Sequence, residues 1–173
     1  MAADYEENLY ILNTGGTFNK IYDPIMGRLV VPRNDDAVKR AVEATMSGKK
    51  ITIGGILYKD SLDMEDRDRE EIADTILARD EKVAIVVHGT DTMNETASCI
   101  ARRLGERDIR VILTGAMVPF SIEPLEAVAN LSVAISCGYR LERGVYISMH
   151  SLLLPHDSIR KNREAGRFEA VKS

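Results

Sequence analysis

The chain has 173 residues, 45% of them hydrophobic and 29% charged, enough for one buried core and too few for two ordinary domains. Its formal net charge of −4 leaves no cationic excess to neutralise phosphates, which argues against a nucleic-acid partner. No stretch approaches the roughly 20 apolar residues of a membrane span, and the acidic start "MAADYEENLY" lacks the basic and apolar order of a signal peptide. Cys99 and Cys137, the only cysteines, read as buried free thiols on the apolar sides of helices, so a cytoplasmic protein without membrane contact is expected.

The first apolar run, "LYILN" (Leu9–Asn13), leads into Thr14-Gly15-Gly16-Thr17. Turn signals at Asp23-Pro24 and Gly27 predict a hairpin or flap at about 18–33,. "NDDAVKRAVEATMSG" follows with helix punctuation, Asn and Asp at its start and Gly48 at its end,. "ITIGGIL" (Ile51–Leu57) runs into Lys59-Asp60-Ser61, and "MEDRDREEIADTILARD" carries its acids early, as the helix dipole favours,. "VAIVV" (Val83–Val87) ends in His88-Gly89-Thr90-Asp91. A helix is predicted at once in "TMNETASCIARRLG", with Thr92 and Glu95 at capping-box spacing,. "VILT" (Val111–Thr114) continues into Gly115-Ala116-Met117, then comes a helix in "PLEAVANLSVAISCG" and a last strand in "VYIS" (Val145–Ser148). The remainder, about 156–173, is polar and reads as a C-terminal arm.

The apolar runs are continuous rather than alternating, as in strands buried on both faces. Alternating with helices, they predict a three-layer α/β/α domain with a mostly parallel sheet and right-handed crossovers, a single domain over 1–173. In such sheets ligands bind beyond the carboxyl ends of the strands. Hydroxyls, glycines and one carboxylate collect at those ends, which marks a pocket. A threonine hydroxyl flanked by glycines can be approached closely but needs a base or relay to become a nucleophile. Thr90 beside Asp91 can form part of such a relay, and backbone N–H groups at the next helix can hold an oxyanion. His88 has no partners at metal-ligand spacing and is read as structural. "NTGGTFNK" lacks phosphate-loop spacing, and no dinucleotide fingerprint is present,.

"ILNTGGTF", "DSLDM", "VVHGTDTMNETA" and "VILTGAMVP" together resemble the N-terminal domain of the bacterial-type L-asparaginase family, in the same order and at similar separations. The resemblance implies conversion of L-asparagine and water to L-aspartate and ammonia through a threonine acyl-enzyme, without metal or organic cofactor. By position, Thr17 resembles the family's nucleophile and Tyr22 the activating tyrosine on its flap. Thr90 resembles the second threonine, and Asp91 the acid that also binds the substrate's α-amino group. Ser61 resembles the serine that holds the α-carboxylate, and Gly16 and Gly89 line the same substrate pocket. Hydrolysis of another small amide such as glutamine, or an amino-acid-binding or sensor protein on the same fold, are the alternatives.

The chain departs from the family pattern in several places. The second domain and the carboxylate it lends a neighbouring protomer are expected to be missing, so a homodimer or higher homo-oligomer is the expected cover for the pocket. Leu62 follows Ser61 where many members carry a polar residue. Ile109 stands at the position, six residues before the glycine of "TGAM", where a lysine paired with Asp91 is expected. Lys161, in the polar arm, is the cation expected to take that place.

Overall fold

Five apolar strands in one chain need cover on both faces, and the helices between them supply it. The computed structural model describes residues 8–171; the acidic residues 1–7 and the last residues of the arm, 172–173, lie outside the described residues. In chain order the elements are β1 (Asn8–Gly15), a hairpin of β2 (Ile21–Asp23) and β3 (Arg28–Val30), α1 (Asp36–Ala44), β4 (Lys50–Lys59), α2 (Asp66–Leu77), β5 (Val83–Val87) and α3 (Met93–Leu104). There follow β6 (Arg110–Thr114), α4 (Leu125–Cys137), β7 (Gly144–Met149), β8 (Leu152–Pro155), and a second hairpin of β9 (Ile159–Asn162) and β10 (Arg167–Ala170).

The central sheet has the order β4-β1-β5-β6-β7-β8. All its neighbours pair in parallel except β8, which returns antiparallel along β7. Every residue of β5 is buried, as its unbroken apolar run requires. Along β1 the side chains alternate between two cores: Leu9 and Ile11 pack with Val38 and Leu131, and Tyr10 and Leu12 with Ile72 and Ile100. Helices α1 and α4 thus cover one face and α2 and α3 the other, the three-layer arrangement expected. Each fully buried Leu or Ile contributes roughly 1.5–3 kcal/mol relative to exposure, so both layers hold the sheet. Among the described residues no helix is long and apolar enough to cross a membrane.

The flap is the β2–β3 hairpin. Asp23 closes its turn by accepting from the Ile25 and Met26 N–H groups at 2.8 and 3.1 Å. Its base is held by buried asparagines: Asn19 Nδ2 donates to the carbonyls of Pro32 and Asn34, and Asn13 Nδ2 to Asp35 at 2.9 Å.

Several expectations need correction. The arm is no loose tail: β9 and β10 pair antiparallel, and Ile159 and Phe168 bury against the α2–α3 side of the sheet. Thr92 and Glu95 form no capping box. The Thr92 hydroxyl donates instead to the Ser61 carbonyl at 2.8 Å, and Glu95 pairs with Arg69 at 2.8 Å. Cys99 is buried but Cys137 only partly so, and both are free.

Candidate active site

The direction in which the sheet order runs changes between β1 and β5: β4 lies on one side of β1, and the later strands lie on the other. Loops leaving two such neighbours diverge and open a crevice at their carboxyl ends. Here β1 delivers Thr17 and β5 delivers Thr90, one from each lip of that crevice.

Glycines bring the lips together. Gly15 and Gly16 have φ of +105° and +74°, values that side chains strain to adopt. A Cβ on Gly16 would collide with the Gly89 backbone, and one on Gly89 would stand 2.6 Å from the Ser61 Oγ. The turns ending β1, β4 and β5 therefore touch backbone to backbone. Gly16 N–H donates to the Lys59 carbonyl at 2.8 Å, and Thr92 ties Ser61 from the β5 side.

Hydroxyls at these strand ends divide into two kinds. Thr14 donates to the Val87 carbonyl and Thr114 to the Ser148 carbonyl, each at 2.8 Å, so both fasten strands together. Ser61 is buried, yet its Oγ has no hydrogen-bond partner among the described residues. Such a group calls for a ligand atom or water. Thr17 is half-buried at the start of a short 3-10 turn, Thr17–Asn19, and its hydroxyl also has no partner among the described residues.

Lys161 reaches the same place from β9. Its Nζ donates to Thr90 Oγ1 and to Asp91 Oδ1, both at 2.9 Å. The fold dictates this aim. Ile159 and Lys161, two residues apart on one strand, share a face. Ile159 is buried, and the buried Phe168 of β10 lies directly across from Lys161. Burying the apolar pair turns the ammonium inward. Arg163, which the sequence did not single out, adds a second cation at 3.4 Å from the same Asp91 oxygen.

Ile109 cannot be the place of a lysine for this site. It precedes β6, at the amino ends of the parallel strands, and its carbonyl accepts from Gly144 N–H where β7 starts. Five residues of strand, about 16 Å, separate it from the end that faces Asp91. Counting along the chain placed it at the wrong end of the sheet. Tyr22 stands on the flap, 60% exposed, and its hydroxyl makes no hydrogen bond to Thr17 or to any other described residue. Leu62 is exposed beside Ser61.

The surrounding charges are fixed by burial and pairing. His88 is fully buried, and burial pushes its pKa down to about 4, against a hydrogen bond with the Gly89 carbonyl and helped by the charge of Arg69. Its Nδ1 lies 2.7 Å from that carbonyl and its Nε2 2.8 Å from Thr96 Oγ1. The carbonyl can only accept, so the neutral ring carries its proton on Nδ1 and braces the Gly89 turn. Burial works to raise the Asp60 carboxyl, but Lys20 at 2.6 Å and the Leu62 N–H outweigh it and hold it below the usual carboxylate range. Among the described residues no three His, Cys, Asp or Glu side chains gather as a metal site.

The sequence model of the family described as "Asparaginase, N-terminal" matches residues 8–173. The chain belongs to the asparaginase family. An L-asparaginase of Thermococcus kodakarensis is 29% identical over 160 residues, which is 91% of this chain and 48% of the relative. One subunit of the glutamyl-tRNA(Gln) amidotransferase of Methanococcus maripaludis is 31% identical over 147 residues, 83% of this chain and 35% of the relative. Among solved structures, the thermostable L-asparaginase of Thermococcus kodakarensis superposes with a TM-score of 0.77 at 25% identity, over 95% of this chain and 51% of that one. A probable cytoplasmic L-asparaginase of Campylobacter jejuni gives 0.73 at 25% identity, over 94% and 52%. The chain thus spans about half the length of the asparaginases it matches.

Proposed function

We propose that this asparaginase-family chain is an amidohydrolase that converts L-asparagine and water to L-aspartate and ammonia through an acyl-threonine. The observation that carries the reading is the Lys161–Thr90–Asp91 constellation, with both bonds of the lysine at 2.9 Å, set across the crevice from the unpartnered hydroxyls of Thr17 and Ser61.

Thr17 attacks the side-chain amide carbonyl, its proton passing to the Tyr22 oxygen on the closing flap as the Tyr22 proton passes on to the amide nitrogen. The oxyanion is met by backbone N–H groups of Gly89 to Asp91, which donate to no carbonyl among the described residues,. Collapse of the tetrahedral adduct breaks the C–N bond, and ammonia leaves with the transferred proton. Water then cleaves the acyl ester, its proton passing through the Thr90 hydroxyl to the departing Thr17 oxygen while the Lys161 ammonium holds Thr90 in place and steadies the developing charge. Asp91 keeps Lys161 in place and offers its second oxygen to the substrate's α-ammonium. Ser61 receives the α-carboxylate, and Gly16 and Gly89 let the substrate come close. No metal or organic cofactor enters this scheme. A cytoplasmic homodimer or higher oligomer, with residues 1–173 as one domain, completes the reading.

The likeness to the glutamyl-tRNA(Gln) amidotransferase chain, 31% identical, favours a second reading in which glutamine is the amide cleaved. Ammonia release by purified protein from asparagine, from glutamine and from buffer alone separates the two. Thr17→Ala should lower turnover by about three powers of ten or more while leaving the melting temperature in place. Turnover above about a tenth of the parental rate removes Thr17 from the nucleophile's role. Asparagine binding without ammonia release would instead make the protein an amino-acid binder.

A further inference from the structure

Lys161 is held in place by more than its own strand. Fixing a lysine side chain costs more conformational freedom than fixing most others. Among the described residues β9 pairs as a strand only with β10, and an isolated two-stranded hairpin has little stability of its own. Ile159 and Phe168 bury one face of it, the Phe168 N–H donates to His150 Nδ1 and the His156 N–H to the Val145 carbonyl, so the hairpin is tied to β7 and to the turn that follows it.

Asn94 ties the hairpin to α3 as well. It lies in the first turn of α3, three residues beyond Asp91. Its Nδ2 donates to the His156 carbonyl at 2.9 Å and to the Ile159 carbonyl at 2.7 Å. Those carbonyls bracket the turn between β8 and β9. Two acceptors facing one amide require the NH2 end, which fixes the orientation of the carboxamide. One side chain thus joins the loop that presents Thr90 and Asp91 to the strand that presents Lys161. In a sequence, an asparagine in the first turn of a helix carries no sign of such a link.

We propose that Asn94 is a positioning residue for Lys161: its carboxamide clamps the entry to β9 onto the start of α3 and so sets the lysine's 2.9 Å contacts with Thr90 and Asp91. The inference rests on the reading of this cluster as the relay of an amidohydrolase. A misplacement of about 1 Å costs up to about a hundredfold in rate, and a clamp on the strand controls that distance.

The test compares Asn94→Ala and Asn94→Asp with the parental protein. Asn94→Asp keeps the shape and suits the amino end of α3, but turns a carboxylate toward two carbonyls. In both variants kcat with asparagine should fall about 10- to 100-fold, with KM within about twofold and the melting temperature nearly unchanged. A second readout needs no turnover. The Lys161 side chain is only 15% exposed, and its acylation by a water-soluble N-hydroxysuccinimide acetate, followed by peptide mass spectrometry, should accelerate several-fold in both variants. Parental acylation rates in both overturn the proposal, as does a kcat that falls only in step with the melting temperature. If the parental protein releases no ammonia from any amide, the functional reading fails, and the acylation comparison alone decides whether Asn94 places Lys161.

Discussion

His88 shows how a residue can serve the crevice without meeting a substrate. Its neutral ring joins the Gly89 carbonyl to Thr96, and protonation would put a charge in a site with no exposure at all. The unfolded chain takes up this proton near pH 6.5, while the folded chain resists until about pH 4. Stability is therefore lost as the pH falls through that window, by roughly 3 kcal/mol in full, and the loss levels off below it. Asp60 and Asp68, whose carboxyls stay below their usual range, lose their contribution only at lower pH, below about 4. Urea unfolding between pH 7.5 and 4.5 should show the decline, and His88→Gln should flatten it; an unchanged slope in the variant rejects this account. The two threonines, Asp91 and Ser61 were legible in the sequence because small polar groups ended apolar runs. Lys161 was legible only as a cation able to fold back. Ile109 misled because a count along the chain does not say at which end of a strand a residue sits, Thr92 read as a capping residue rather than as the tie to Ser61, and Asn94 and Arg163 left no local signal at all.

Among the elements, the five parallel strands and the four long helices follow directly from unbroken apolar runs and their punctuation, and the flap from Asp23-Pro24 and Gly27, whereas the antiparallel edge strand β8 was not expected. Nor was the C-terminal hairpin. Each of its strands has only four residues, too short for alternation to register, and only Ile159 and Phe168 are buried in it. Phe168 does much of the anchoring: its ring meets His150 edge-on at 6.0 Å, and its N–H donates to His150 Nδ1 at 3.1 Å. Phe168→Ala should cost about 3 kcal/mol or more, the lower end for a buried phenylalanine. Because β9 and β10 pair only with each other, the loss should be local. Hydrogen exchange should quicken across 159–170 while β5 keeps its protection, and ammonia release should fall with it. Equal acceleration in β5 and in the hairpin would show that the hairpin is no separate unit.

At the scale of the molecule, the sequence placed the ends of four parallel strands on one edge but not the order of the strands, because similar apolar runs are interchangeable when only their pattern is read. That order is what sets Thr17 against Thr90. It also shapes the outer surface at this edge. The flap exposes Ile25 and Met26, 95% and 53% open, and the loop before α4 together with the helix's first residue exposes Ile122 and Leu125, 61% and 75% open. The two segments adjoin, since the Ser121 hydroxyl donates to the Lys20 carbonyl at 2.7 Å and Phe120 N–H to the Phe18 carbonyl. Large apolar side chains gathered in one place mark a surface that associates, and a net charge of only −4 gives little repulsion between copies. A homodimer or higher assembly, packed through this edge, is the expected state at micromolar concentration. Sedimentation velocity should then show a species larger than the 19.2 kDa chain. Ile25→Asp combined with Ile122→Glu, both at exposed positions that the fold does not need, should return it to monomer. A parental protein that sediments as a monomer across the micromolar range would leave the flap bare in solution, and the apolar edge would then have no role in self-association.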